Sequence, residues 1–375
     1  MNGLDSAIRD AGAAAYAAYG SSADANVRYL TRFRTTDPVV YVQRPGERGM
    51  IVVSQMEHER AVRESVAAVV TRADAGYLEY IKAGEPRWRA TAHMIADLAG
   101  GPVLVPATFP LALARELESF HPIVLDAGAV EGMRAVKTPE EIEWIRAAQR
   151  ATEAAMEHGI ALIRTSVPKG GILHREGLPL TSEAVRAEMH AYLLAQGYHG
   201  VDTIVSCGPD TALPHSPGTG PLREDEPIVI DIYPQDDLSG YHADMTRTVV
   251  KGEPTPEVRE MYDAVRDAKA LGISMVRAGA VGADLYRAVV EFFRDRGYES
   301  NMQGFTHSLG HGVGLEVHEE PSLGPQGGVL CAGNVVTIEP GLYYSGTGGV
   351  RLEDMGAVTE TGFDRFTQYE EELTL

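Results

Sequence analysis

The later part of this 375-residue chain carries one pattern twice, and at matching points of the pattern stand acids that buried strands seldom hold. GIALIR (159–164) aligns with GISMVR (272–277). Each is followed by a helical stretch ending in Gly-Tyr, LTSEAVRAEMHAYLLAQGY (180–198) and VGADLYRAVVEFFRDRGY (281–298), with the glycine where a helix stops. Each half then closes on an apolar strand with an acid near its end, Asp231 in PIVIDIYP and Glu339 in NVVTIEPG. A second carboxylate follows in both, Asp244 lying 13 residues after Asp231 and Glu353 lying 14 after Glu339. The parallel predicts a duplicated α/β half, folded as a pseudo-symmetric pair with its acids converging between the halves.

Asp231 and Glu339 sit in β-branched runs that read as buried strands. A buried carboxylate without a partner costs several kcal/mol or shifts its pKa until it is neutral, so something positive is expected beside each. For one such acid alone, an Arg or Lys salt bridge is the ordinary reading. Four at repeated positions, together with the histidines of FTHSLGHGVGLEVHEEP (305–321), point instead to roughly two divalent cations. Oxygen donors with an imidazole favour Mn²⁺, Co²⁺, Fe²⁺ or Zn²⁺. Two such ions side by side acidify water and polarise a carbonyl, so the reaction class is metal-assisted hydrolysis.

A formal net charge of −20 opposes binding to a phosphate backbone, and no basic patch offsets it, so no nucleic-acid partner is expected. No apolar run approaches the roughly 18 residues of a membrane span, and the first twenty residues lack a basic segment followed by an apolar one. Cys207 and Cys331, far apart and in no CxxC pattern, read as small buried apolar residues of a cytoplasmic protein. Residues 1–130 read as a small α/β domain: an Ala-rich N-terminal helix, strands VVYV (39–42) and MIVV (50–53), and a helix over HERAVRESVAAVV (58–70). The second domain, 131–375, opens with a long amphipathic helix over 136–163, for which Thr138 is the N-cap, Pro139 the first-turn residue, and Glu140 and Glu141 lie near the positive end.

The segments HSPGTGPL, IVIDIYPQDDLSGYHADMTRT, HSLGHGVGLEVHEEP, VVTIEPGLYY and GGVRLEDMG resemble, in order and spacing, the motifs of the M24 metallopeptidases of the prolidase and aminopeptidase P branch. The resemblance covers residues 137–375 well and the N-terminal part loosely. It implies an α/β (α+β) fold with a creatinase-like N-terminal domain and a pseudo-symmetric pita-bread catalytic domain. It implies two metal ions, Mn²⁺ first, held by Asp231, Asp244, His311, Glu339 and Glu353, with Asp231 bidentate, Asp244 and Glu353 bridging, and Glu339 doubling as general base. His215 and His318 fall at the positions that assist the substrate carbonyl and the tetrahedral intermediate. Arg351 and Thr246 would steady the carboxylates from behind, and His307 would support the site without binding metal. A homodimer acting on proline-containing di- or oligopeptides is the expected state.

Other readings are weaker on the residues. His307 and His311 have i,i+4 spacing, but Ser308 stands where a helical zinc-protease motif needs Glu, and Gly310, Gly312 and Gly314 oppose a helix. GTGGVR (346–351) lacks a P-loop lysine and reads as a hairpin turn. His174, His190 and His242 have no assignable partner, and Asp236, Asp237 and Glu370–Glu372 read as solvated surface. Asp-Ile-Tyr-Pro replaces the commoner Asp-(apolar)-Gly, and Ser322 stands where prolidases often carry an arginine that grips a dipeptide's carboxylate. A dipeptide's carboxylate would then need another cation, from the N-terminal domain or a partner subunit, for which Arg32, Arg34 and Arg44 are the candidates. The serine tilts the expectation toward an aminopeptidase acting on longer Xaa-Pro peptides, with a dipeptidase as the alternative. A binding module that has lost its metals and a metal-free creatinase-like hydrolase are the readings from other classes, and the complete set of ligand positions opposes both.

Overall fold

The computed structural model describes residues 3–375, so Met1 and Asn2 of the expected N-terminal helix lie outside the described residues. The chain divides into two compact units, Met1–Arg134 and Ala135–Leu375.

The first unit is built on a six-stranded mixed sheet in the order Ala68–Thr71, Met50–Val53, Val39–Gln43, Ala15–Gly20, Val103–Val105, Ile123–Leu125. Alternation buries both faces: Ala15, Ala17, Val40 and Val42 pack into one core, and Tyr16, Ala18, Val39 and Tyr41 into the other. Two expectations fail here. The Ala-rich stretch is helical only over Gly3–Asp10, and its alanines form a central strand, Ala15–Gly20. Apolar partners on both faces override the helix propensity of alanine. Likewise the helix from His58 stops at Glu64, Ser65 turns to an extended backbone, and the β-branched run in Ala68–Thr71 joins the sheet edge.

In the second unit the long helix runs Pro139–Arg164. Thr138 and Glu141 close a full capping box over its first turn, so Glu141 satisfies a backbone N–H as well as facing the helix dipole. The repeat is visible in the elements. Helix Pro139–Arg164 pairs with Ser182–Leu194, and helix Pro256–Met275 pairs with Gly282–Asp295. Both second helices are followed by a glycine of positive φ, Gly197 and Gly297. Beside the first pair lies the antiparallel sheet Ile204–Cys207, Pro227–Ile232, Met245–Val250, and beside the second the antiparallel sheet Val335–Ile338, Asp354–Val358, Phe363–Arg365. Each half has its own apolar core. GTGGVR is the expected hairpin, joining Gly341–Tyr344 to Gly348–Arg351.

Three surface expectations need correction. Cys331 is exposed and Cys207 only half-buried, its Sγ accepting from Arg223 N. Glu371 is not free in solvent, because it pairs at 2.6 Å with the buried Lys269 ammonium. Asp237 pairs with His199 at 2.8 Å, while Asp236 accepts from Leu238 N and Ser239 N and shapes the turn there.

Candidate metal centre

The matched acids reach their places by strand pairing. Asp231 is the fifth residue of Pro227–Ile232 and lies opposite Thr246, while Asp244 immediately precedes Met245–Val250. In the second half, Glu339 immediately follows Val335–Ile338, and Glu353 immediately precedes Asp354–Val358. The halves are joined at this point: Glu353 N donates to Thr246 O at 3.1 Å, Arg351 N donates to Thr248 Oγ1 at 3.0 Å, and Thr248 Oγ1 donates to Arg351 O at 2.8 Å.

The histidine-rich stretch runs beside Val335–Ile338 like an added strand, with Thr337 N donating to His311 O and Glu339 N donating to Leu309 O. None of Gly310, Gly312 and Gly314 has a positive φ. They are needed for close approach: a Cβ at Gly310 would lie 2.0 Å from Thr337 O, and one at Gly312 would lie 2.2 Å from Glu320 O. Gly312 and Glu319 exchange backbone hydrogen bonds, and the resulting fold-back brings the rings of His311 and His318 to 4.2 Å.

Asp244, His311 and Glu353 each offer a ligand atom within 4.8 Å of the others. His311 Nε2 lies 3.3 Å from Glu339 Oε1 and 3.7 Å from Asp244 Oδ2. Its Nδ1 faces Gly312 O at 3.1 Å, which keeps a proton there and turns Nε2 toward the acids. Asp231 stands apart from the three-residue cluster, its Oδ2 held by Arg351 Nη2 at 2.8 Å. The arginine also donates through Nε to Thr246 Oγ1 at 3.1 Å, and Thr246 Oγ1 donates to Glu353 Oε2 at 3.0 Å.

His307 lines the cavity with the acids, but its ring nitrogens are bonded to other groups. Its Nδ1 donates to Ser308 O and its Nε2 accepts from Tyr343 O–H, both at 2.8 Å, while the tyrosine oxygen accepts from Arg351 Nη1 at 2.9 Å. The histidine is thus linked to Asp231 through Tyr343 and Arg351. Tyr343 escaped the sequence reading because only the fold shows which groups meet its hydroxyl. His215 and His318 line the same cavity of about 780 Å³ as the four acids and His311, and so do Ser322 and an unforeseen pair, Tyr233 and His242. His174 and His190 lie elsewhere, bonded to Ile172 O and Thr203 Oγ1.

The electrostatics are those of crowded like charges. Burial, then Glu353 and Asp231, raises the Asp244 carboxyl well above its ordinary range. Burial, then Glu339 and Asp231, pushes Glu353 up to about 8. For Glu339, burial acts upward but the hydrogen bond and charge of His311 prevail and bring it down to about 2. His311 is lowered by burial, yet Glu339 and Glu353 carry it up to about 9. Burial lowers His318 and His307. Asp231 Oδ1, Asp244 Oδ1 and Glu353 Oε1 are buried with no hydrogen-bond partner. Three orphaned carboxylate oxygens, with the imidazole Nε2 of His311 beside the same acids, fit divalent cations, since buried charges are either paired or coordinate metal.

The comparisons agree with this chemistry. Residues 143–360 match the model of metallopeptidase family M24. A Xaa-Pro dipeptidase of Lactobacillus helveticus is 34% identical over 249 residues, which is 66% of this chain and 63% of that protein. The chain therefore covers less than two thirds of that relative's length. The structure of a Xaa-Pro dipeptidase from Bacillus anthracis superposes with a TM-score of 0.84 at 26% identity, covering 100% of this chain and 98% of the other. An X-Pro aminopeptidase from Thermotoga maritima MSB8 gives a TM-score of 0.81 at 26% identity, covering 99% and 100%. The fold shared with these structures is a creatinase-like N-terminal unit followed by a pita-bread unit, as the sequence motifs imply. With a family match over more than half its length, the chain belongs to metallopeptidase family M24.

Proposed function

We propose that this metallopeptidase hydrolyses the bond between an N-terminal residue and a following proline, using two divalent ions, Mn²⁺ first, on Asp231, Asp244, His311, Glu339 and Glu353. The observation that carries the reading is the meeting of three unpartnered carboxylate oxygens at one cavity that also holds two uncommitted histidines, His215 and His318. Ions bound there supply Lewis acidity toward the scissile carbonyl and lower the pKa of water.

The remaining work falls to side chains. Glu339, ionised at neutral pH, takes up a proton and returns it to the leaving proline nitrogen. His318 and His215 hydrogen-bond the carbonyl oxygen as it gains charge. Arg351 holds Asp231 in place, Thr246 holds Glu353, and His307 holds Arg351 through Tyr343. The tertiary amide of an Xaa-Pro bond has no N–H to offer, so proline is selected by shape, against apolar wall residues such as Pro214, Pro217 and Val317.

Relatives named Xaa-Pro dipeptidase support dipeptides as substrates. A second reading, an aminopeptidase for longer peptides, rests on Ser322: it lines the cavity, and the arginine there, Arg351, is committed to Asp231, Thr246, Tyr343 and Pro214. A dipeptide's exposed carboxylate would have to find its cation elsewhere. A homodimer in the cytoplasm completes the proposal. The test is mass-spectrometric turnover of Xaa-Pro against Xaa-Pro-Yaa by metal-stripped enzyme refilled with Mn²⁺, Co²⁺ or Zn²⁺. Cleavage of the dipeptide alone selects the dipeptidase, and cleavage of the tripeptide selects the aminopeptidase. Cleavage of neither returns the chain to the class of binding modules.

A further inference from the structure

Tyr233 occupies a position that the chemistry above does not use. It directly follows strand Pro227–Ile232, whose register with Met245–Val250 ends at Ile232 opposite Met245. The bridge between Gln235 and His242 continues the same register, which sets Tyr233 opposite Asp244. A cross-strand partner shares a face, and so does the residue two positions back, so Tyr233 shares its face with both Asp244 and Asp231. The residue lines the cavity, as do Val201, Asp202, Ile204 and His242.

The ring is fixed at both ends. At its tip, the phenol O–H donates to Asp202 O at 2.8 Å, and Asp202 itself is held in the left-handed region at φ 52. At its base, Pro234 restricts the backbone of the preceding residue to an extended conformation. With its proton committed to a backbone carbonyl, the phenol acts as neither acid nor ligand. What remains is its bulk.

We infer that Tyr233 is a specificity-determining wall that limits the size of the substrate's first side chain. The inference rests on the Xaa-Pro reading and deepens it. In an Xaa-Pro substrate the proline ring is constant, so the group of variable size is the side chain before it. The first residue also carries the free ammonium, which charge draws toward the cavity's carboxylates, and Tyr233 is bonded to Asp202 O and lies opposite Asp244. A rigid aromatic wall there accepts Gly or Ala and collides with Leu or Phe.

The test is kcat/KM for Gly-Pro, Ala-Pro, Leu-Pro and Phe-Pro with the Mn²⁺-loaded wild type, Tyr233→Phe and Tyr233→Ala, each checked for folding by circular dichroism. If tripeptides are the better substrates, the same four first residues are used ahead of Pro-Ala. The wild type should lose rate as the first residue grows. Tyr233→Ala should raise the Phe-Pro to Ala-Pro ratio by about tenfold or more, the scale on which pocket volume discriminates. Tyr233→Phe, which keeps the ring and loses only the hydroxyl, should keep the wild-type ordering. Parallel changes on all four substrates in Tyr233→Ala would overturn the wall, as would a wild type indifferent to size. No turnover of any substrate by the folded wild type overturns the Xaa-Pro reading, and this inference with it.

Discussion

Thr246 and Glu353 are 107 residues apart in the chain, and a 3.0 Å hydrogen bond from the threonine hydroxyl to Glu353 Oε2 links the two halves of the second unit at the metal centre. The same hydroxyl accepts from Arg351 Nε at 3.1 Å, so one fully buried oxygen positions both an acid and the arginine that holds Asp231. Thr246→Val keeps the shape and removes the hydroxyl. It should cost about 1–3 kcal/mol of stability, since a buried guanidinium N–H loses its acceptor. It should also weaken metal binding by about 10–100-fold, the usual effect of removing a group that orients a ligand. Thermal unfolding and a Mn²⁺ titration monitor the two effects, and unchanged metal affinity would separate Thr246 from the site.

Glu339→Gln should leave the fold intact and abolish hydrolysis. The amide preserves size, but it cannot take up a proton, and a lost general base costs about 10²–10⁴ in rate. Steady-state assays beside a circular dichroism spectrum decide the point, and normal turnover by the variant would remove Glu339 as base.

Behind the site, Asp354 is almost fully buried against Lys269 Nζ at 2.8 Å and Arg247 Nη2 at 3.0 Å, and Arg247 Nη1 donates to Glu353 O at 2.6 Å. Burial acts upward on the Asp354 carboxyl, but Lys269 and Arg247 hold it below the ordinary range. Its stabilising contribution is therefore present above the ordinary carboxylate pKa and is lost as pH falls through the lowered one. Asp354→Asn leaves two buried cations short of charge and should cost about 3–5 kcal/mol, read from denaturant unfolding. A loss below about 1 kcal/mol would mean that Glu371 alone compensates Lys269.

The centre predicts an unusual pH dependence for the metal-stripped protein. Glu353 is raised to about 8 and His311 to about 9. Both folded pKa values exceed the ordinary ones, so the stability these groups contribute is complete below the ordinary pKa and is lost as pH rises through the raised values. In EDTA the melting temperature should fall between about pH 5 and about pH 9, and Glu353→Gln should flatten that decline. Mn²⁺ should restore stability most at the alkaline end, with protons released on binding, which calorimetry in buffers of different ionisation enthalpy detects. A melting temperature that rises over this window in EDTA, with wild type and variant alike, would contradict the assignment.

Signals close together in sequence were legible: the N-cap at Thr138, the Gly-Tyr stops, and the acid-bearing strands whose repetition pointed to one converging centre. Groups whose meaning depends on a distant partner were not. Tyr343 reads as one more aromatic of a hairpin until Arg351 and His307 are seen on its hydroxyl. Lys269 lies in a helix where a lysine ordinarily faces water, and only the fold brings Asp354 and Glu371 to it. In the first unit, local propensity misled outright, because Ala15–Gly20 is a strand by virtue of the layers packed on either side.

Gly310 shows how the centre depends on a single hydrogen atom. Where any other residue carries carbon, this one leaves a gap that the Thr337 carbonyl enters, and that contact sets how near the backbone of His311 comes to the strand leading into Glu339. Adding one methyl group would act as a wedge, levering the imidazole away from the acids while deleting none of the polar groups around them. An alanine at this position is thus a means of dismantling the centre mechanically, with every donor atom still present.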